Sequence, residues 1–228
     1  MKKLNKNINF VLENMSEIEF NNYQEETAKI LLEINAIKLS PNKPFIWASG
    51  WKSPIYCDNR IILSNPKIRN IIKKFLVQVI SENFEKPDAI AGVATGAIGI
   101  GMLVADYLDL PFIYVRPEAK KHGRKNQIEG EVDKGKKVMV IEDLISTGKS
   151  SIGAIRALKS HGLSVIGMVA IFTYEFKISE ENINKENLKL KTLCNYSTLL
   201  KTAQKTEQIS ESECKILKKW NQDPSSWS

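Results

Sequence analysis

Between residues 89 and 172 the chain alternates short, almost wholly apolar runs with amphipathic ones, and this alternation limits the fold more than any other feature. Ala89–Val93, Pro111–Val115, Val138–Ile141 and Val165–Phe172 read as strands, and Ile98–Tyr107 and Ser150–His161 as helices. Strands that are apolar at every position fit a sheet covered on both faces. Strands separated by helices fit right-handed βαβ units, so the expected fold is α/β with a central parallel sheet flanked by helices. Upstream, apolar spacing predicts helices over Tyr23–Ile37 and Ile68–Phe84. Pro41 and Pro44 break the pattern, and short strands are expected at Phe45–Trp47 and Ile55–Cys57 around the turn 49–54. Beyond Phe172 the chain is polar, with short helices expected at Ser197–Thr206 and Glu211–Trp220. Residues 1–20 are Asn- and Lys-rich and read as a loose, disordered extension, leaving 21–228 as one domain.

No apolar run approaches the ~20 residues a bilayer crossing needs. No secretory signal follows the basic start, so a cytoplasmic protein with no membrane partner is expected. Cys57, Cys194 and Cys214 are widely spaced and form no metal-ligand pattern. Lys and Arg number 33 against 26 Asp and Glu, a net +7. Residues 116–125 hold five of those cations and one acid, Glu118. Charge gathered in one loop suits a compact polyanion better than a nucleic-acid track. The surrounding stretch, 116–136, is polar and without apolar period, and a long loop inside a compact domain is often a functional lid.

The chemistry concentrates in residues 138–151, Val-Met-Val-Ile-Glu-Asp-Leu-Ile-Ser-Thr-Gly-Lys-Ser-Ser. Four apolar residues end in two carboxylates, Glu142 and Asp143, followed by a small hydroxyl-rich loop and a helical run. Ligands of open α/β sheets bind outside the carboxyl ends of the strands. Adjacent carboxylates there can accept hydrogen bonds from vicinal sugar hydroxyls, while loop amides and hydroxyls at a helix start favour a phosphate. An isolated Glu-Asp pair would be no more than a capped turn, but the full string points to a sugar phosphate. It is not a Walker A loop, because the Gly-x4-Gly-Lys-Ser/Thr spacing is absent.

This string resembles the phosphoribosyl-diphosphate (PRPP) signature of the type I phosphoribosyltransferases. Three further segments are similar to the orotate-using branch of that family: Phe45 to Arg60 with its Ser-Gly-Trp-Lys-Ser-Pro core, Arg116 to Gly123 followed by Ile128-Glu-Gly130, and Gly92-Val-Ala-Thr-Gly-Ala97. The resemblance implies the type I phosphoribosyltransferase fold with a small N-terminal hood from about 40–62 and a mobile catalytic loop over about 116–131. It implies Arg116, Lys120 and His122 on the loop closing over PRPP, with Lys120, His122 and Asp143 catalytic. Glu142 and Asp143 would meet the ribose hydroxyls, Ser146, Thr147, Gly148, Lys149 and Ser150 would cradle the 5′-phosphate, and Leu144 and Ile145 would also belong to the PRPP-binding segment. Ser146, Lys52 and Tyr56 would face orotate. Mg²⁺ would be held mainly by PRPP, and the enzyme would be a homodimer whose loop acts in trans.

The implied reaction joins orotate to PRPP, giving orotidine 5′-monophosphate and diphosphate in pyrimidine synthesis. Cationic loop residues suit the growing charge of a departing diphosphate. The chain departs from the family at Pro117, where a loop Lys is common, and at Ala48, Trp51, Gly96 and Tyr174, where Lys or Arg often stands. These losses leave Lys52 as the candidate partner of the orotate carboxylate. Two other readings remain open: a phosphoribosyltransferase for a purine base, and a PRPP-sensing regulator that binds nucleic acid. Ser-Gly-Trp-Lys-Ser-Pro opposes the first, and the lack of a nucleic-acid-binding extension opposes the second.

Overall fold

The computed structural model of the protein describes residues 22–47, 50, 52–118 and 127–227. The expected extension at 1–20 and the loop residues Lys120 and His122 lie outside the described residues. The chain divides into two compact units: one built from residues up to Ile68 together with Cys194 onward, the other from Arg69–Leu193.

In the first unit, α1 (Tyr23–Glu33) is followed by strands β1 (Ile37–Leu39), β2 (Phe45–Ile46), β3 (Lys52–Ser53) and β4 (Ile55–Cys57). β1 pairs antiparallel with β4, and β2 with β3, so the segment expected as a hood is two short ribbons. The helix expected to reach Ile37 stops at Glu33, because Asn35 takes a left-handed φ of 57° and turns the chain into β1. α6 (Tyr196–Lys205) and α7 (Glu211–Gln222) complete the unit. Its centre is Trp220, fully buried, with the Trp47 ring edge-on at 5.7 Å and the Tyr196 ring at 5.8 Å. Trp47 donates from Nε1 to the Ile55 carbonyl at 3.1 Å, so this half-buried tryptophan packs at the margin of that centre.

The second unit holds α2 (Pro66–Asn83, entering from the first unit), β5 (Ala89–Val93), α3 (Ala97–Leu108), β6 (Phe112–Val115), β7 (Ile128–Glu129), β8 (Lys137–Ile145), α4 (Lys149–Ser160), β9 (Ser164–Thr173), α5 (Lys177–Lys185) and β10 (Leu190–Asn195). The sheet order is β10-β9-β8-β5-β6-β7. β6, β5, β8 and β9 run parallel, and β7 turns back antiparallel on β6. Alternate strand residues serve opposite faces. Ala89, Ala91, Val93, Val138, Val140, Met168 and Ala170 face one core with Ile152, Ile155 and Leu158 of α4. Ile90, Met139, Ile141, Val169 and Ile171 face the other way and are equally buried. Each such side chain contributes about 1.5–3 kcal/mol by leaving water, and residues buried on both faces explain the unbroken apolar runs.

Three expectations need correction. The strand expected to end at Ile141 runs to Ile145, because β9 continues beside it through Leu144–Phe172 and Ile145–Thr173. Part of the long polar stretch after Val115 is strand β7, with Val115 opposite Ile128. The polar region after Phe172 contains α5 and β10 in addition to the two helices expected there.

Candidate active site

The carboxyl ends of β5, β6 and β8 lie side by side, since Gly92 is in register with both Tyr114 and Ile141. Three of the expected segments therefore emerge from one edge of the sheet: the turn after β5, the start of the 116–131 loop and the acidic string.

Glu142 and Asp143 are neighbours in β8 but differ in environment. Glu142 is 3% exposed. Its Oε1 accepts from the Asp143 backbone N–H at 3.0 Å and its Oε2 from the Ser151 hydroxyl at 2.8 Å. Burial, and then the charge of Asp143, hold the Glu142 carboxyl well above the usual range. Asp143 is only half-buried and is the more accessible acid of the pair. Ile145 is fully buried and its carbonyl accepts from Tyr174 N–H at 3.0 Å, so its side chain serves the core.

After Ile145 the chain turns through Ser146 and Thr147 to Gly148, which takes φ +77° and precedes α4 without any side-chain cap. A side-chain Cβ at Gly148 would meet nothing nearer than 3.8 Å, so the positive φ is what calls for glycine. Uncapped N–H groups at a helix start are the arrangement that receives an anion. The turn is supported from behind by α5, where Asn182 donates to the Thr147 carbonyl at 3.1 Å. Lys149 and Ser150 are exposed at the first positions of the helix.

The base of the basic loop is tied. Arg116 N–H donates to the Gln127 carbonyl at 2.8 Å, and the Gln127 amide returns a bond to the Arg116 carbonyl at 2.9 Å. The Arg116 guanidinium pairs with Glu129 at 3.3 Å. The turn after β5 contains a cis peptide between Ala94 and Thr95.

The structure thus brings Glu142, Asp143 and 144–150 together, with Arg116 leaving the same edge of the sheet. Lys52 and Tyr56 belong to the first unit. Lys52 is exposed on β3, and Tyr56 is exposed on β4 with its ring 5.7 Å from that of Phe45. Tyr174 is a buried aromatic stacked on Phe176 at 5.2 Å. Sequence reasoning assigned no role of their own to Ser151, Gln127 and Glu129, which lie within the quoted segments, and did not consider Asn182. Ser151 alone had a signal, since a buried carboxylate requires a donor and a serine follows one turn into the helix. His161 closes α4, its N–H bonded to the Ala157 carbonyl at 3.0 Å, a helix-ending role. Among the described residues no group of three or more His, Cys, Asp or Glu is placed to hold a metal, and no helix is long and apolar enough to cross a membrane.

A parallel sheet with an acidic strand end running into an uncapped helix start defines the class. Residues 58–196 match the phosphoribosyl transferase domain family. The orotate phosphoribosyltransferase of Porphyromonas gingivalis is 52% identical over 200 residues, 88% of this chain and 95% of that one. That of Cytophaga hutchinsonii is 47% identical over 206 residues, 90% of this chain and 99% of that one. The crystal structure of orotate phosphoribosyltransferase from Aeropyrum pernix matches with a TM-score of 0.70 at 28% identity, covering 80% of this chain and 99% of that one. The chain belongs to the orotate phosphoribosyltransferase family, and is a pentosyltransferase.

Proposed function

We propose that the protein transfers ribose 5-phosphate from PRPP to N1 of orotate, releasing diphosphate and forming orotidine 5′-monophosphate for pyrimidine synthesis. The observation that supports this most is the pairing of half-buried Asp143 with the uncapped α4 start that follows the end of its strand, a hydroxyl-accepting group beside an anion-accepting one. The amides and hydroxyls of Ser146–Ser150 hold the 5′-phosphate. Asp143 accepts from the ribose hydroxyls and stabilises the positive charge that develops on the ribose as diphosphate leaves. Glu142, engaged by Ser151, holds β8 to the start of α4.

Arg116, Lys120 and His122 meet the negative charge growing on diphosphate, where donors act most strongly. Closing this loop excludes water from PRPP. Ser146 also receives orotate. The active assembly is a cytoplasmic homodimer whose loop serves the neighbouring subunit's site.

The donor set fits Mg²⁺. One accessible carboxylate, with no three-acid cluster among the described residues, suits a cation that takes most of its ligands from phosphates and water. Asp143 is the residue that would share it, and when bound it supplies charge neutralisation to the diphosphate.

The test is a spectrophotometric assay of orotate consumption with PRPP and Mg²⁺, with adenine, xanthine and uracil as competitors. Orotate turnover unaffected by the other bases is expected. Turnover of adenine or xanthine without orotate turnover would overturn the reading.

A further inference from the structure

Strand pairing brings an acid to the base of the basic loop. β7 lies antiparallel on β6, with Tyr114 opposite Glu129 and Val115 opposite Ile128, and the ladder continues in the bond from Arg116 N–H to the Gln127 carbonyl. Side chains alternate between the faces of a sheet. Val115 and Ile128 go to the buried core shared with α4, so Tyr114, Arg116 and Glu129 go to the other face. Arg116 and Glu129 stand diagonally across the two strands, a spacing that long side chains bridge. The register thus produces the contact of Arg116 Nη1 with Glu129 Oε1 at 3.3 Å.

The Glu129 backbone is fixed on both sides. It pairs with Tyr114, and Gly130 follows at φ +93°, so close to β6 that a Cβ there would stand 2.9 Å from Ile113 Cγ2 and 3.0 Å from the Phe112 carbonyl oxygen. The two side chains are by contrast open, Arg116 40% and Glu129 23% exposed, and an ion pair so open to water is weak. Glu129 also lines an open cleft of about 860 Å³ together with Glu131, Lys134 and Lys136, so its carboxylate stays solvated when Arg116 leaves it. A pair with a fixed acid and a weak bond suits a cation that changes partner during the reaction.

We propose that Glu129 is a positioning residue for Arg116: it holds the guanidinium at β7 until diphosphate takes it, and takes it back as diphosphate departs. The inference rests on Arg116 meeting the diphosphate of PRPP. PRPP on entering must displace Glu129 to gain Arg116, and the diphosphate product must keep it displaced to stay bound. The pair therefore lowers the affinity of both ligands by the same factor, and for the product this favours release. Orotate and orotidine 5′-monophosphate carry no diphosphate, so the pair does not touch their binding.

The test compares Glu129→Gln, Arg116→Ala and the double variant, measuring PRPP affinity with Mg²⁺ by calorimetry, inhibition by diphosphate, KM for orotate at saturating PRPP, and thermal midpoint. Glu129→Gln keeps the size of the side chain and removes its charge. It is expected to tighten PRPP and diphosphate by about 1.5- to 5-fold each, the range of an exposed ion pair. The orotate KM stays as in the parent, and the midpoint stays within about 3 °C of it. On the Arg116→Ala background the same change is expected to bring no gain, since the two residues act as one coupled pair. Glu131→Gln, which removes a charge two residues along the chain, is the control and leaves PRPP affinity as it was. An equal gain from Glu129→Gln on both backgrounds marks plain repulsion of the ligand and overturns the inference, as does unchanged or weaker PRPP binding in Glu129→Gln alone. If Arg116→Ala itself leaves PRPP affinity unchanged, the assignment of Arg116 to the diphosphate has failed and the inference with it, a result distinct from failed coupling.

Discussion

Two helices of this chain begin in opposite ways. α7 opens with a complete capping box: the Ser210 hydroxyl accepts from Glu213 N–H at 3.2 Å, and the Glu213 carboxylate accepts from Ser210 N–H at 2.9 Å. Asn42 adds a further bond to Glu213 at 3.0 Å. α4 opens on Gly148 with no side-chain cap and a lysine at its first position. One start satisfies its own donors, as a helix with only a structural task should. The other leaves its donors to an anion that the chain does not supply.

The comparison can be broken most severely by giving α4 an anion of its own. Gly148→Asp is expected to lower PRPP affinity on the order of 100-fold or more, since like charges about 4 Å apart repel by about 4 kcal/mol at a protein-surface dielectric. Calorimetric titration measures it, and unchanged affinity would remove the α4 start from the phosphate site. Ser151→Ala takes a donor from buried Glu142 and should cost about 1–3 kcal/mol in urea unfolding. An unaltered midpoint would show that this clasp contributes nothing.

At the other helix, Ser210→Ala should cost about 1 kcal/mol and leave turnover unchanged. The Ser210 backbone and hydroxyl donors hold the Glu213 carboxyl below its ordinary range. A carboxyl lowered in the folded state stabilises fully above its unfolded value and ceases to do so as pH falls through the lowered one. The difference between parent and Ser210→Ala should therefore shrink on acidification from roughly pH 5 to pH 3, as unfolding curves across that range would reveal. Asn22→Ala, at the weaker cap of α1 where the Glu25 N–H is 3.4 Å away, should cost no more than about 0.5 kcal/mol. A larger loss than at Ser210 would invert the ranking of the two caps.

What could be read from the residues follows from where each signal resides. β5, β8 and β9 were legible because both faces are buried, and α4 because Ile152, Ile155 and Leu158 repeat at helical spacing. α5 was not, since its buried side chains are only Ser179 and Ile183. β7 has two residues and exists through its pairing with β6, a non-local choice that no local pattern carries. The acidic string announced the site, but its division of labour did not show. That Glu142 is enclosed rests on Ser151 in the first turn of α4, and Asp143 lies against Gly96 in the turn after β5, neither of them a near neighbour in the chain.

The continuation of β8 to Ile145 bears on how the site binds. Because the ladder with β9 extends past both carboxylates, Asp143 is anchored in the sheet on either side, by Glu142–Ala170 and Leu144–Phe172. Its backbone entropy is lost when the protein folds, so the half of the site proposed to meet the ribose is preorganised before any substrate arrives. Amide hydrogens along 141–145 should exchange at the rate of global unfolding, with or without PRPP.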